Sequence, residues 1–265
     1  MNVEQLFDLS GKVVIITGAA GNLGSRYADG LSKFGANVVL ADIDYVKCKQ
    51  TAKKIKEKYL TDPEPIKLDL TKKKSISNVV SKVLKKYSKI DVLINNAAYQ
   101  GNDKIRKTSF ENLSLDDWNK SISVNLTGVF LMCQQVGKIM KKQKQGNIIN
   151  IGSTYGLVAP DQRIYGDSGQ NAAAFYSASK GGVINLTRYL ASYWNRTGIR
   201  VNTLTPGGVG NNQKSNFIKK YSNKTMLGRM AKKDEYVAAI LFLSSDASSY
   251  MTGSNLIIDG GWTAW

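Results

Sequence analysis

The run Lys12-Val13-Val14-Ile15-Ile16-Thr17 stops at Gly18-Ala19-Ala20-Gly21-Asn22-Leu23-Gly24, and this junction restricts the fold more than any other part of the chain. A short apolar, β-branched run that ends in glycine reads as a buried parallel strand entering a tight turn. Residues Ser25 to Phe34 follow with helical apolar spacing and are closed by Gly35. Glycines in the turn let the backbone approach a pyrophosphate, whose charge is favoured at the helix amino terminus. A second strand, Asn37 to Ala41, delivers Asp42 about twenty residues beyond the loop. A carboxylate there can accept both hydroxyls of an adenosine ribose and repels a 2′-phosphate. The whole unit predicts dinucleotide binding, with NAD favoured over NADP.

The alternation continues without a linker. Val46 to Tyr59 and Lys73 to Tyr87 read as helices. Pro65 to Leu68, ending at Asp69, and Asp91 to Ile94, running into Asn95-Asn96-Ala97, read as strands. Leu115 to Lys144 reads as one long helix containing Asn125, and Asn147 to Ile151 as a strand ending at Gly152-Ser153. A helix to about Arg196 carries Tyr176 and Lys180, and the strand Arg200 to Leu204 leads into Pro206-Gly207-Gly208. Residues 208–225 are polar and rich in glycine and asparagine, as in a mobile flap. A helix from about Asp234 to Leu243 and a strand Asn255 to Ile258 close the chain. Repeated strand and helix units predict a single-domain α/β fold, a doubly wound parallel sheet of the Rossmann type with helices on both faces. Ligands of such sheets bind beyond the carboxyl ends of the strands. Asp42, Asp69, Asn95, Ser153 and Pro206 all fall at those ends.

The 265 residues contain no histidine, so acid–base work falls to Tyr, Lys, Asp or Glu. That excludes histidine triads and the usual zinc motifs; no metal is expected. Cys48 and Cys133 stand far apart, which argues for a reducing compartment and against a disulfide framework. The formal charge of +17 comes from lysines scattered over the polar sides of helices, including Lys47 to Lys58, Lys72 to Lys89 and Lys138 to Lys144. Nucleic-acid binders usually gather such charge on one face, so no nucleic-acid partner is expected. The stretch Met1 to Asp8 lacks a basic segment followed by an apolar core, and no apolar run approaches the roughly 20 residues of a membrane span. The expected location is the cytoplasm.

Tyr176 and Lys180 lie four residues apart, on one face of a helix. A neighbouring ammonium favours phenolate and lowers the tyrosine pKa, which makes the pair a general acid–base candidate. With the motifs Thr17-Gly18 through Gly24, Asp69-Leu70, Asn95-Asn96-Ala97, Asn125, Ser153, Pro206-Gly207 and Asp259-Gly260-Gly261, the chain resembles the short-chain dehydrogenase/reductase family along nearly its whole length. The resemblance implies a sheet of about seven strands assembled as homotetramers or homodimers. It implies an oxidoreductase that interconverts a secondary alcohol and a ketone. In that scheme Tyr176 exchanges the proton, Ser153 hydrogen-bonds the substrate oxygen, and Lys180 lowers the tyrosine pKa and holds the nicotinamide ribose. Asn125 breaks the helix and positions a water. Cofactor contacts are expected from Gly18, Gly21, Asn22, Leu23, Gly24, Asp42, Ile43, Asp69, Leu70, Asn96, Ala97, Tyr176, Lys180, Pro206, Gly207 and Val209.

Three departures from the family pattern stand out. Asn22 replaces the middle glycine of the loop, where asparagine's tolerance of positive φ is expected to help. Gly208-Val209-Gly210-Asn211 follows Pro206-Gly207, where a threonine is common. Finally, Tyr176 follows Ser153 by 23 residues, about ten more than is usual, so residues 157–175 form an insertion beside the site. The insertion is polar, and Arg163 with Asp161, Gln162 and Asp167 suits hydroxyls or a phosphate better than a steroid or acyl chain. A sugar-like substrate follows, with Ser153, Tyr155, Arg163, Tyr176 and Gly208 as its contacts. The insertion and the ending Asp259 to Trp265 also resemble a bacterial subgroup of flagellin and surface-polysaccharide sugar modification. The alternatives are a 3-ketoacyl carrier-protein reductase, disfavoured by Asp42, and a non-catalytic dinucleotide-binding regulator, disfavoured by the intact Asn125, Ser153, Tyr176 and Lys180.

Overall fold

Seven strands, β1 Val13–Thr17, β2 Asn37–Asp42, β3 Glu64–Lys67, β4 Val92–Asn95, β5 Gly146–Ile151, β6 Ile199–Pro206 and β7 Asn255–Ile258, pair in parallel in the order β3-β2-β1-β4-β5-β6-β7. The structure is a computed structural model that describes residues 2–59 and 61–265; of the amino-terminal stretch considered above, Met1 lies outside them. The helices are α1 Val3–Leu6, α2 Asn22–Lys33, α3 Tyr45–Lys58, α4 Lys73–Tyr87, α5 Asp103–Arg106, α6 Leu115–Ile122, α7 Gly128–Gln143, α8 Ala174–Tyr193, α9 Ser215–Ser222 and α10 Val237–Ser244.

Side-chain alternation along each strand divides the core into two layers. Val14 and Ile16 of β1 face a layer built with Tyr27, Ala28 and Leu31 of α2, Ala52 and Ile55 of α3, and Ile240 and Leu243 of α10. Val13 and Ile15 face the opposite layer with Ile76 and Val79 of α4, Met132 and Val136 of α7, and Val183 and Leu190 of α8. A sheet covered on both sides explains why β1 is buried at every position and reads as a continuous apolar run. The strand order reverses between β1 and β4, and this switch point opens the crevice for a ligand. Among the described residues, no helix is long and apolar enough to cross a membrane.

The structure departs from the sequence reading in two places that matter for the site. The stretch 115–144, read as one long helix, is interrupted at Asn125, where the resemblance implies a break, and the interruption is a π-helical turn, Ser123–Thr127, between α6 and α7. The polar stretch 208–225 contains α9, whose Tyr221 is buried. Phe217 and Tyr221 lie four residues apart, so their rings share the face that α9 turns inward.

Candidate active site

The glycine loop is shaped from across the switch point. Gly18 has φ +67°, and a Cβ there would sit 2.7 Å from Ala97 Cα. Asn96 Nδ2 donates to the carbonyls of Thr17 at 3.0 Å and Gly18 at 3.1 Å, while the amides of Asn96 and Ala97 donate to Thr17 Oγ1. A Cβ on Gly21, by contrast, would meet only the Gly18 carbonyl oxygen, at 3.1 Å, so the backbone is open there. Gly21 caps α2 with no side-chain bond, leaving the first-turn amides of Asn22 and Leu23 without a side-chain acceptor. Bare helix amides beside an open glycine suit a pyrophosphate. Asn22 is already helical, and only Gly18 in the loop has positive φ, so the tolerance expected of asparagine is not called on.

Asp42 ends β2 and is tied on both sides: Oδ2 accepts the Ala20 amide and Oδ1 the Asp44 amide, each at 3.0 Å. The cap of α3 is Asp44, through the Lys47 amide. Ile43 is exposed beside the crevice. Asp69 spends its carboxylate locally, on the Thr71 amide and hydroxyl at 3.0 and 2.6 Å and on Lys72, and the Thr71 hydroxyl bond holds its pKa below the usual carboxylate value. Leu70 is buried against Gly128, where a Cβ would come within 2.9 Å of the Leu70 Cβ.

Tyr176 and Lys180 stand on the first two turns of α8. Lys180 is 3% exposed, and its Nζ donates to the Ile151 carbonyl at 2.6 Å while lying 5.9 Å from the Tyr176 ring centroid. Burial lowers its pKa to about 8. Ser153, just beyond β5, is buried and accepts the Tyr155 amide at 3.2 Å. Gly156 docks this turn on α8: a Cβ would lie 2.7 Å from the Lys180 carbonyl carbon. Sequence reasoning expects Lys180 to lower the Tyr176 pKa. Within the polypeptide, burial pushes the phenol up instead, opposed by the Ser153 and Gln100 side chains. The sequence singles out neither Gln100 nor its role. Its one signal is its place just after the Asn95-Asn96-Ala97 strand end.

Asn125 sits in the π-helical turn, fully buried. Its Oδ1 accepts the Tyr99 amide at 2.6 Å, and its Nδ2 donates to the Tyr99 carbonyl at 2.9 Å, Ser121 Oγ at 3.1 Å and Ser179 Oγ at 3.2 Å. The side chain therefore braces the loop that carries Gln100 against α8. Asn95 turns into the sheet instead of the crevice, donating to Asn150 Oδ1 at 2.8 Å.

On the substrate side, Gln162, Arg163 and Asp167 of the insertion are exposed. Arg163, its side chain 84% exposed, pairs with Asp161 at 2.8 Å, and Lys224 reaches the same carboxylate at 2.6 Å. Facing inward are Ile164 and Tyr165, which pack with Tyr155, Phe217, Tyr221 and Trp262. The Gly208 amide donates to the Tyr221 hydroxyl, and a Cβ on Gly208 would overlap that ring. Val209 bridges to Ala231, and Gly207 follows Pro206 so close to Asp259 that a Cβ would lie 2.7 Å from its Cα.

Residues 18–263 match the family model described as enoyl-(acyl carrier protein) reductase. The 3-oxoacyl-[acyl-carrier-protein] reductase FabG of Thermotoga maritima is 37% identical over 257 residues, 96% of this chain and 98% of that protein. The chain belongs to the short-chain dehydrogenase/reductase family. As such it is an oxidoreductase of CH–OH groups that uses a nicotinamide dinucleotide, and the residues around Gly21 fit that group. D-threitol dehydrogenase of Mycolicibacterium smegmatis is 32% identical to this short-chain dehydrogenase/reductase, covering 99% and 97% of the two chains. Post-translational flagellin modification protein A of Campylobacter coli is 31% identical, covering 96% and 99%. Among solved structures, gox2181 superposes with a TM-score of 0.91 at 32% identity over 100% of both chains. A Burkholderia cenocepacia gluconate 5-dehydrogenase in complex with NADP and tartrate gives 0.88 at 29% over 100% of both. A Leptospira borgpetersenii short-chain dehydrogenase with bound NAD+ gives 0.84 at 34% over 99% and 96%.

Proposed function

We propose that this short-chain dehydrogenase/reductase interconverts a secondary alcohol and a ketone on a polar, sugar-like substrate, with NAD as the preferred cofactor. The reading rests above all on Ser153 and Tyr176, set side by side by the Gly156 contact with α8. Two fixed donors at one point stabilise a developing alkoxide. In oxidation the Tyr176 phenolate takes the hydroxyl proton as the carbinol C–H leaves as hydride; in reduction the phenol returns that proton. The dinucleotide supplies the hydride acceptor or donor. Lys180, a buried cation 5.9 Å from the phenol ring, would favour phenolate only against the burial that raises the Tyr176 pKa.

The preference for NAD rests on Asp42, whose carboxylate ends β2 beside the loop and would repel a 2′-phosphate. The sugar-like substrate draws support from D-threitol dehydrogenase and gluconate 5-dehydrogenase among the similar proteins. Placement in flagellin or polysaccharide sugar modification draws support from the Campylobacter coli relative. Reduction of a 3-ketoacyl carrier-protein substrate is the second reading, favoured by the similarity to FabG. A screen of NAD- and NADP-linked oxidation over sugars, polyols and sugar acids, alongside 3-ketoacyl thioester reduction, decides between them. Tyr176→Phe serves as the blank in both arms, and undiminished turnover in that variant refutes the proton-transfer assignment.

A further inference from the structure

Five aromatic rings run in a chain from the catalytic serine. Tyr155, whose amide donates to Ser153 Oγ, meets Trp262 edge-on with ring centroids 6.5 Å apart. Trp262 stacks on Tyr221 at 4.3 Å, Tyr221 lies 6.0 Å from Phe217, and Phe217 lies 5.5 Å from Tyr165. These rings come from the turn after β5, the insertion, α9 and the segment after β7. Tyr221 and Trp262 are buried and form the backing; Tyr155, Tyr165 and Phe217 are half-buried. The two halves are latched by the Lys224–Asp161 ion pair at 2.6 Å.

We infer that this wall, with Tyr165 as its insertion-borne member, selects a ring-shaped polyhydroxylated substrate over an open-chain polyol of the same carbon number. The inference rests on the proposed alcohol–ketone chemistry and narrows its substrate class to rings, away from the open-chain threitol and gluconate of the similar proteins. Aromatic faces gain by lying against a flat, weakly polarised surface, which the axial C–H face of a hydroxylated ring presents and a flexible chain does not hold. The Tyr155 phenol stays neutral, because burial raises its pKa, and can donate to a hydroxyl. A quaternary ammonium would also suit aromatic faces. Two lysines disfavour such a cation: Lys224 and Lys220 flank the wall, and Lys220 Nζ lies against Gly166 with no acidic partner among the described residues.

The test compares kcat/KM for inositols and cyclic sugars with that for hexitols in the full-length enzyme, Tyr165→Ala and Tyr165→Phe. The expected result is a ring preference that falls roughly tenfold in Tyr165→Ala, through KM, and is retained in Tyr165→Phe. An unchanged pH profile in both variants separates loss of the wall from damage to Tyr176. Fluorescence quenching by the same ligands, with Trp262→Phe to assign the signal, reads binding without turnover. Turnover of hexitols at equal efficiency, an unchanged ratio in Tyr165→Ala, or tighter binding of a quaternary ammonium overturns the wall and leaves the oxidoreductase reading intact. Ring-selective quenching with no turnover by any variant supports the wall and refutes that reading.

Discussion

Asp42 Oδ2 accepts the Ala20 amide at 3.0 Å, so the carboxylate expected to meet the adenosine ribose also braces the glycine loop. The two tasks separate by substitution. Asp42→Asn keeps an oxygen for the Ala20 amide but removes the charge and the acceptor of the exposed Asp44 amide, and should raise the NADPH-to-NADH ratio of kcat/KM about tenfold or more at a small cost in melting temperature. Asp42→Ala should in addition lose about 1–3 kcal/mol from the unmet amide. Calorimetric Kd values for both dinucleotides, with thermal melts, check the pair. A ratio unmoved by Asp42→Asn removes the basis for the NAD preference.

The buried ammonium of Lys180 makes stability depend on pH. Its pKa falls from 10.5 in a free chain to about 8 in the fold, so between those values the unfolded chain binds more protons and stability rises with pH. The gain is present at high pH and is lost as pH falls through about 8. Between about pH 7 and pH 9.5 the native protein should gain about 2 kcal/mol relative to Lys180→Met. Urea unfolding of both proteins at the two pH values measures it, and parallel behaviour would contradict the burial argument.

Asn125 offers a second handle on the site. Asn125→Ala strips the partners from the Tyr99 amide and carbonyl, at about 1–3 kcal/mol for each group left unsatisfied. The midpoint of denaturant unfolding should fall with an unchanged slope. Because the same loop carries Gln100 to the phenol, kcat should fall more than cofactor affinity does.

Gly156→Ala tests the docking of the serine turn. The new methyl would sit 2.7 Å from the Lys180 carbonyl carbon, so α8 or the turn must shift, at about 1–3 kcal/mol. A displacement of about 1 Å between Ser153 and Tyr176 is enough to cost roughly a hundredfold in kcat. Single-turnover hydride transfer and cofactor Kd, measured together, should show the first reduced and the second nearly unchanged.

Much of this was legible in the chain. The β-branched runs at Val13–Thr17 and Asn37–Asp42 are buried on both faces, so composition alone marked them. The positions of Ser153, Tyr176 and Lys180 followed from strand and helix ends. What stayed hidden depends on partners distant in sequence. The apolar period runs on through Ser123–Thr127, so the break there came only from the resemblance, which put it at Asn125; the π-helical form of the turn and its clamp on Tyr99 show only in the fold. Arg163 looked like a ligand contact because composition does not say which way a side chain turns; Asp161, two residues before it, holds it to the outside. Tyr165 and Phe217 lie in polar stretches far apart in sequence, and only the fold sets their rings 5.5 Å apart.

The contact of Asn96 with Thr17 and Gly18 has a consequence for assembly. It spans the seam between β1 and β4, where the sheet halves join. The nucleotide loop therefore takes its shape only after chain made some eighty residues later has docked. Such long-range closure is slow. During refolding, helical signal should return before cofactor affinity, and a fragment ending before β4 should bind no dinucleotide, however well its first strands and helices form.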